Sequence, residues 1–261
     1  MSSFYRGAAG GATEYLAGHV NTLVDFCALR DVEVPRAGVA DVAVLFGGSI
    51  LAGGDVFARA LADGAAPRGM IVGAQGHSTD ALREAMRLQM GWSDVDGLTE
   101  ASLFARYLRE RYDLSVDLLG HESTNCGSNV REALDLLRAV PHERILIIQD
   151  ASMQRRMDAG FRLLAPGTRV VNFAAHRTHV DDELRVVDAP AGMWAPERYL
   201  SLLMGEIPRL TDGPQGYGPS GRGFIARVDV PDEVTRAYSA LRATGVGVPR
   251  PADPRWADAG A

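Results

Sequence analysis

The stretch Val116-Asp117-Leu118-Leu119-Gly120-His121-Glu122-Ser123-Thr124-Asn125-Cys126-Gly127-Ser128-Asn129, continuing helically from Val130 to Val140, decides the reading of the fold. A short apolar run, Val116–Leu119, enters a polar loop, and a run with apolar residues at helical spacing leaves it. Ser128 or Asn129 reads as the cap of that helix. A helix entrance offers unpaired N–H groups and a positive dipole end, which suit a carboxylate or phosphate, while Glu122 and Asn125 can orient hydroxyls or an amine. Asn, Ser and Gly are also ordinary turn residues, so the same loop reads equally as a capped turn that binds nothing.

The strand–loop–helix unit recurs along the chain. Strands are expected at Val42–Phe46, Gly69–Val72, Val116–Leu119, Ile145–Ile148 and Val170–Phe173. Helices are expected at Ala12–Leu29, at a second segment with its core at Val56–Leu61, around Ala81–Met90 and Glu100–Arg111, at Val130–Val140 and Met153–Leu164, and near Glu197–Met204. Strands that are apolar throughout and alternate with helices indicate an α/β protein with a mainly parallel sheet covered on both faces. The division expected is a helical extension over 1–40, a ligand-binding core over 41–180 and a helical and loop extension over 181–261 packed on that core. Gly213-Pro214-Gln215-Gly216-Tyr217-Gly218-Pro219 is a lid candidate, and the Pro- and Asp-rich end from Pro249 reads as a disordered or docking tail.

With 261 residues, nearly half of them hydrophobic, the chain can bury a sizeable core. All 27 basic residues are arginine, which excludes a Schiff-base lysine and a Walker-type phosphate lysine. A net charge of −6 without a basic run argues against nucleic acid as partner. No stretch approaches the roughly 20 apolar residues of a spanning helix, so neither membrane insertion nor a leader is expected and the cytoplasm is the expected location. The two cysteines, Cys27 and Cys126, have neither disulfide-framework nor zinc spacing. A small molecule is the expected partner; oligomeric state is left open.

In a parallel sheet the strand carboxyl ends share one edge, where the following loops converge. Five polar loops meet that description. They begin at Gly47-Gly48-Ser49, at Gly73 with Gly76 and His77, at Glu122 through Asn125 to Asn129, at Asp150 with Arg155 and Arg156, and at His176. The glycines either admit a ligand to the backbone or serve tight turns. Arg155 and Arg156 can grip an anion bidentately or pair with Asp150, Glu122 or Asp158. His77 and His176 are acid–base candidates, with Glu122 and Asp150 as carboxylates beside them, and Glu100 is either a first-turn dipole partner or a carboxylate aimed into the crevice. His176 and His179 with Asp181 or Asp182 fall short of a defined metal-ligand set, so no metal is expected.

Taken in order, Gly47-Gly48-Ser49, Gly64-Ala65-Ala66-Pro67, Thr99-Glu100-Ala101, Glu122-Ser123-x-Asn125-x-Gly127-x-Asn129 and Asp150-Ala151-Ser152-Met153-Gln154-Arg155-Arg156 resemble the motifs of the YdcF-like proteins over Asp41–Phe173. The wider family, with its SanA-like and ElyC-like branches, carries Thr-Ser-x-x-His after the fourth strand, where this chain has Gln149-Asp150-Ala151-Ser152. The resemblance implies a Rossmann-like, doubly wound fold and binding of S-adenosylmethionine without an established reaction. The leading reading is a protein that binds S-adenosylmethionine or a related adenine nucleoside, with group transfer or cleavage as the chemistry if it is an enzyme. The alternatives are a hydrolase or transferase of a phosphorylated or sugar-like metabolite, and a non-enzymatic sensor. Under the leading reading the methionine carboxylate meets Arg155 and the helix entrance at Asn129, the ammonium meets Asp150 or Glu122, and Glu100 holds the ribose.

Overall fold

Each of the five apolar runs becomes a strand, and the five pair in parallel within one sheet. The computed structural model describes residues 10–247, with side chains from Tyr15 onward; the tail from Pro249 lies outside the described residues. In chain order the elements are α1 (Gly10–Cys27), β1 (Val42–Phe46), α2 (Leu51–Ala62), β2 (Gly69–Val72), α3 (Thr79–Met90), α4 (Glu100–Tyr112), β3 (Leu118–Gly120), α5 (Cys126–Leu137), β4 (Arg144–Gln149), α6 (Gln154–Leu164), β5 (Arg169–Ala174), α7 (Pro196–Leu210) and α8 (Asp232–Thr244). The strand order is β3-β2-β1-β4-β5. The chain builds outward from β1 to β3, then returns across β1 to lay down β4 and β5. This is a Rossmann-like α/β fold, with its topological switch point between β1 and β4.

Side chains of β1 alternate between two apolar layers because successive Cβ atoms leave opposite faces of a strand. Ala43 and Leu45 pack with Phe57 of α2 and Phe104 of α4, whereas Val42, Val44 and Phe46 pack with Val130 of α5 and Phe161 of α6. A strand covered on both faces needs no polar alternation, and all of β1 is buried. A third apolar cluster joins Val20, Leu23 and Val24 of α1 to Leu203 and Ile207 of α7 and Leu241 of α8.

Two helix starts differ from the sequence reading, and both matter for the carboxyl edge of the sheet. α5 begins at Cys126, capped by Asn125 rather than by Ser128 or Asn129. The Asn125 side chain accepts from Ser128 N at 3.0 Å and Ser128 Oγ accepts from Asn125 N at 3.0 Å, a reciprocal cap that starts the helix ahead of its apolar residues. α2 begins at Leu51, directly after the Gly47–Ser49 turn, and carries Gly53 and Gly54 in its first turns. A Cβ at Gly54 would lie 3.1 Å from the rings of both Phe104 and Tyr107, so glycine lets α4 pack closely on α2. At the other edge, β3 covers Leu118–Gly120 rather than Val116–Leu119.

Candidate functional site

The end of β1 meets the end of β2 with backbone against backbone. A Cβ at Gly47 would collide with Glu100 Oε2 and come within 3.0 Å of Gly73 Cα, while one at Gly73 would lie 2.8 Å from Gly47 Cα. The two glycines therefore allow a close approach that side chains forbid. Gly48 has a φ of +85°, in the left-handed region, which turns the chain from β1 towards α2. Glu100, at the first position of α4 and 5% exposed, fills the space beside them. Its Oε1 accepts from Ser78 Oγ and from Thr79 Oγ1, both at 2.9 Å. Burial raises its pKa and outweighs the hydrogen bonds from Ser78, Thr79 and the Gly48 backbone, which work the other way.

Across the switch point, the end of β4 is a buried polar chain. Gln149 donates through Nε2 to the Gly47 carbonyl at 3.0 Å and accepts from Ser49 Oγ at 3.3 Å, tying the β1 and β4 loops together. Asp150 is fully buried. Its Oδ1 accepts from Ser152 N at 3.0 Å and Ser152 Oγ at 2.8 Å, and its Oδ2 accepts from Trp194 Nε1 at 2.9 Å and lies 3.5 Å from His176 Nε2. His176 Nδ1 is in turn 2.8 Å from Thr178 Oγ1. Burial alone would raise the Asp150 pKa, but His176 and Ser152 together lower it. Asp150 and His176 thus form a buried carboxylate–imidazole contact, with Thr178 fixing the far side of the ring.

A strap from the C-terminal region crosses these loops. The Ala191 carbonyl accepts from Ala52 N at 3.1 Å in the first turn of α2, Trp194 holds Asp150, and Arg198 Nη2 donates to the His77 carbonyl at 3.1 Å. Arg198 also stacks on the Trp194 ring at 4.3 Å. One segment therefore touches the ends of β1, β2 and β4. The lid candidate Gly213–Pro219 instead closes on α7, where Tyr217 N donates to the Arg209 carbonyl at 2.9 Å.

The loop after β3 joins the same junction. Ala74 N donates to the Ser123 carbonyl at 3.0 Å, and a Cβ at Gly76 would lie 3.1 Å from the Thr124 carbonyl. Cys126, at the start of α5, has its sulfur 3.7 Å from that of Met153, whose methyl lies 3.0 Å from where a Gly48 Cβ would be. Ser123 Oγ is buried without a hydrogen-bond partner among the described residues.

The expected arginines separate because successive helix residues point about 100° apart. Arg155 turns to α1, where Nε donates to the Phe26 carbonyl and the guanidinium lies 4.2 Å from the Phe26 ring centre. Arg156 supplies its bidentate grip to Glu206 on α7, at 2.6 and 2.9 Å, instead of to Asp150, Glu122 or Asp158. Burial works against the charge on Arg156, but Cys126 and Glu206 outweigh it and strengthen its hold on the proton.

The structure thus brings together Gly47, Gly48, Ser49, Gly73, Gly76, Glu100, Asn125, Asp150 and His176 through the contacts above. Asn129 is buried in α5 near that junction. Glu122 and His77 are exposed side chains at its margin; the Glu122 backbone N–H is held by Glu132 Oε1 at 2.9 Å. Thr79, the second hydroxyl on Glu100, and Glu206 were not singled out by the sequence. A lone acid in the apolar run Leu202-Leu203-Met204-Gly205-Glu206-Ile207 was the available signal for a buried ion pair. His179 pairs with Asp25 at 2.9 Å, and among the described residues no group of three His, Cys, Asp or Glu side chains is placed to hold a metal. Among the same residues no helix is long and apolar enough to cross a membrane. No protein-family model matches the chain.

Proposed function

We propose that the protein binds S-adenosylmethionine, or a related adenine nucleoside, at the junction of the β1, β2, β3 and β4 loops. The supporting observation is the contact of Gly47 with Gly73 around the buried Glu100, beside the first turn of α5. Strand carboxyl ends at a switch point are where open α/β sheets take ligands, and glycine backbones admit a ligand closely. The methionine carboxylate meets the Cys126 and Gly127 end of α5, which requires no arginine clamp. Glu100 is the acceptor for the ribose, and the ring of Trp194 is the apolar wall for adenine. Group transfer or cleavage is the reaction class, with Asp150 and His176 as the acid–base pair. The two widely spaced free thiols support a cytoplasmic setting.

The strap supports a sensor reading as well, because a ligand at this junction must disturb a segment bonded to three loop ends. Titration calorimetry with S-adenosylmethionine on the whole chain tests the binding proposal. We expect S-adenosylhomocysteine to compete, Glu100→Ala to weaken binding, and Arg155→Ala to leave it unchanged. Absence of binding to either nucleoside overturns the proposal; turnover of bound ligand distinguishes enzyme from sensor.

A further inference from the structure

Arg30 and Arg177 line a cleft of about 320 Å³ with Asp31, Val32 and Glu33. It lies beyond β5, where Arg30 makes an isolated antiparallel bridge with Phe173, and so on the opposite side of that strand from β4. Among the described residues, each guanidinium donates a hydrogen bond only through its Nε. Arg30 Nε donates to the Ala174 carbonyl at 2.8 Å, and Arg177 Nε donates to the Ala28 carbonyl at 3.0 Å. The Phe173 ring lies 4.1 Å beneath Arg30 and holds its plane.

Several arginines of this chain face a carboxylate within their own segment or across a contact, as Arg83, Arg106, Arg156 and Arg185 do. Neither Arg30 nor Arg177 has an ion-pair partner among the described residues. Asp31 is engaged elsewhere: its Oδ2 accepts from Asn172 N at 2.8 Å and Asn172 Nδ2 at 2.9 Å. Burial and the like charge of Arg177 both press against protonation of Arg30. Two oriented guanidinium groups with their outer N–H groups unspent are complementary to a tetrahedral or planar oxyanion. The volume is at the lower end of that of small-molecule sites.

We infer that Arg30 and Arg177 form an oxyanion site for a phosphate group, separate from the nucleoside junction, with the cleft taking the carbon skeleton of a phosphate monoester. Glu33 at the same cleft sets a limit on affinity by repelling the anion. The chemistry is shared by free phosphate and a phosphorylated metabolite, and the two are distinguished by comparing ligands.

Orthophosphate and glycerol 3-phosphate are titrated into the whole chain by calorimetry at constant ionic strength. Arg177→Gln, at an exposed side chain, and Arg30→Gln should each weaken phosphate binding by about ten- to a hundredfold, the range carried by a charge-assisted hydrogen bond. Glu33→Gln should tighten it, and Arg138→Gln, at the end of α5 and outside the cleft lining, should leave it unchanged. Tighter binding of glycerol 3-phosphate than of orthophosphate supports a monoester ligand, while equal binding supports the free ion; both support the oxyanion site. Equal phosphate affinity in wild type and a folded Arg177→Gln overturns it, as does a response to phosphate that chloride reproduces. Since the nucleoside junction does not include these arginines, S-adenosylmethionine binding should persist in Arg177→Gln whatever phosphate does.

Discussion

Replacing Asp150 by asparagine keeps the side-chain shape and changes what it offers to Ser152, Trp194 and His176. Oδ1 can still accept from Ser152 N and Oγ, though as a neutral acceptor. The new amide N–H group then faces the Trp194 indole N–H, donor against donor, at the place where Oδ2 now accepts at 2.9 Å. A hydrogen bond to a charged acceptor contributes about 1.5–3 kcal/mol, and an orphaned buried donor costs about 1–3 kcal/mol. Relief from burying a charge offsets part of this, so the net loss is about 2–4 kcal/mol. For a chain of this size that lowers Tm by roughly 5–15 °C. The difference should also depend on pH. The folded-state pKa of Asp150 is depressed, so its stabilisation is present above the ordinary aspartate range and lost as pH falls through the folded value. The Tm gap between wild type and variant should therefore be widest near neutrality and close in acid. Calorimetry across that range checks this, together with acrylamide quenching of Trp194 in a Trp92→Phe, Trp256→Phe background, where the variant should be quenched more readily. An unchanged Tm at pH 7 with unchanged quenching would refute the claim that Asp150 anchors the strap.

Two further outcomes follow from the other side of the junction. Gly47→Ala should cost about 1–3 kcal/mol by overpacking against Glu100 and Gly73, measured by denaturant unfolding, and Glu100→Ala in the same chain should recover part of it; strictly additive losses would mean that the two residues do not collide. Glu100 has a raised folded-state pKa, so its contribution is complete below the ordinary glutamate range and lost as pH rises through the folded value. Glu100→Gln is neutral throughout, so its Tm relative to wild type should climb as pH rises above the ordinary glutamate range, and a constant or falling difference counts against a carboxylate disfavoured by burial.

The sheet was legible because fully buried strands leave uninterrupted apolar runs such as Val42–Phe46, whose order along the chain carries the α/β alternation. The start of α5 was not, since its first turn is polar and its apolar spacing begins only at Val130, so local side-chain capping decides where the helix begins. α2 was foreshortened in the sequence because Gly53 and Gly54 argue locally against helix, while their value lies in contacts with α4. Convergence of polar loops at the strand ends could be read from topology alone. The direction of each arginine could not, because Phe26 and Glu206, which decide it, are distant in the chain and belong to helices outside the sheet. The strap has no periodic pattern, and only Trp194 marked it.

The cluster shared by α1, α7 and α8 has a consequence for how the molecule is made. During synthesis α1 emerges before the five strands, yet Leu203, Ile207 and Leu241, which cover its apolar face, are added after the last strand. The nascent chain must carry Val20, Leu23 and Val24 without these partners while the five strands are being produced, an interval in which exposed apolar surface invites aggregation or capture by a chaperone. Completion of the packing of α1 is therefore deferred until α7 and α8 have been made, after the last strand of the sheet.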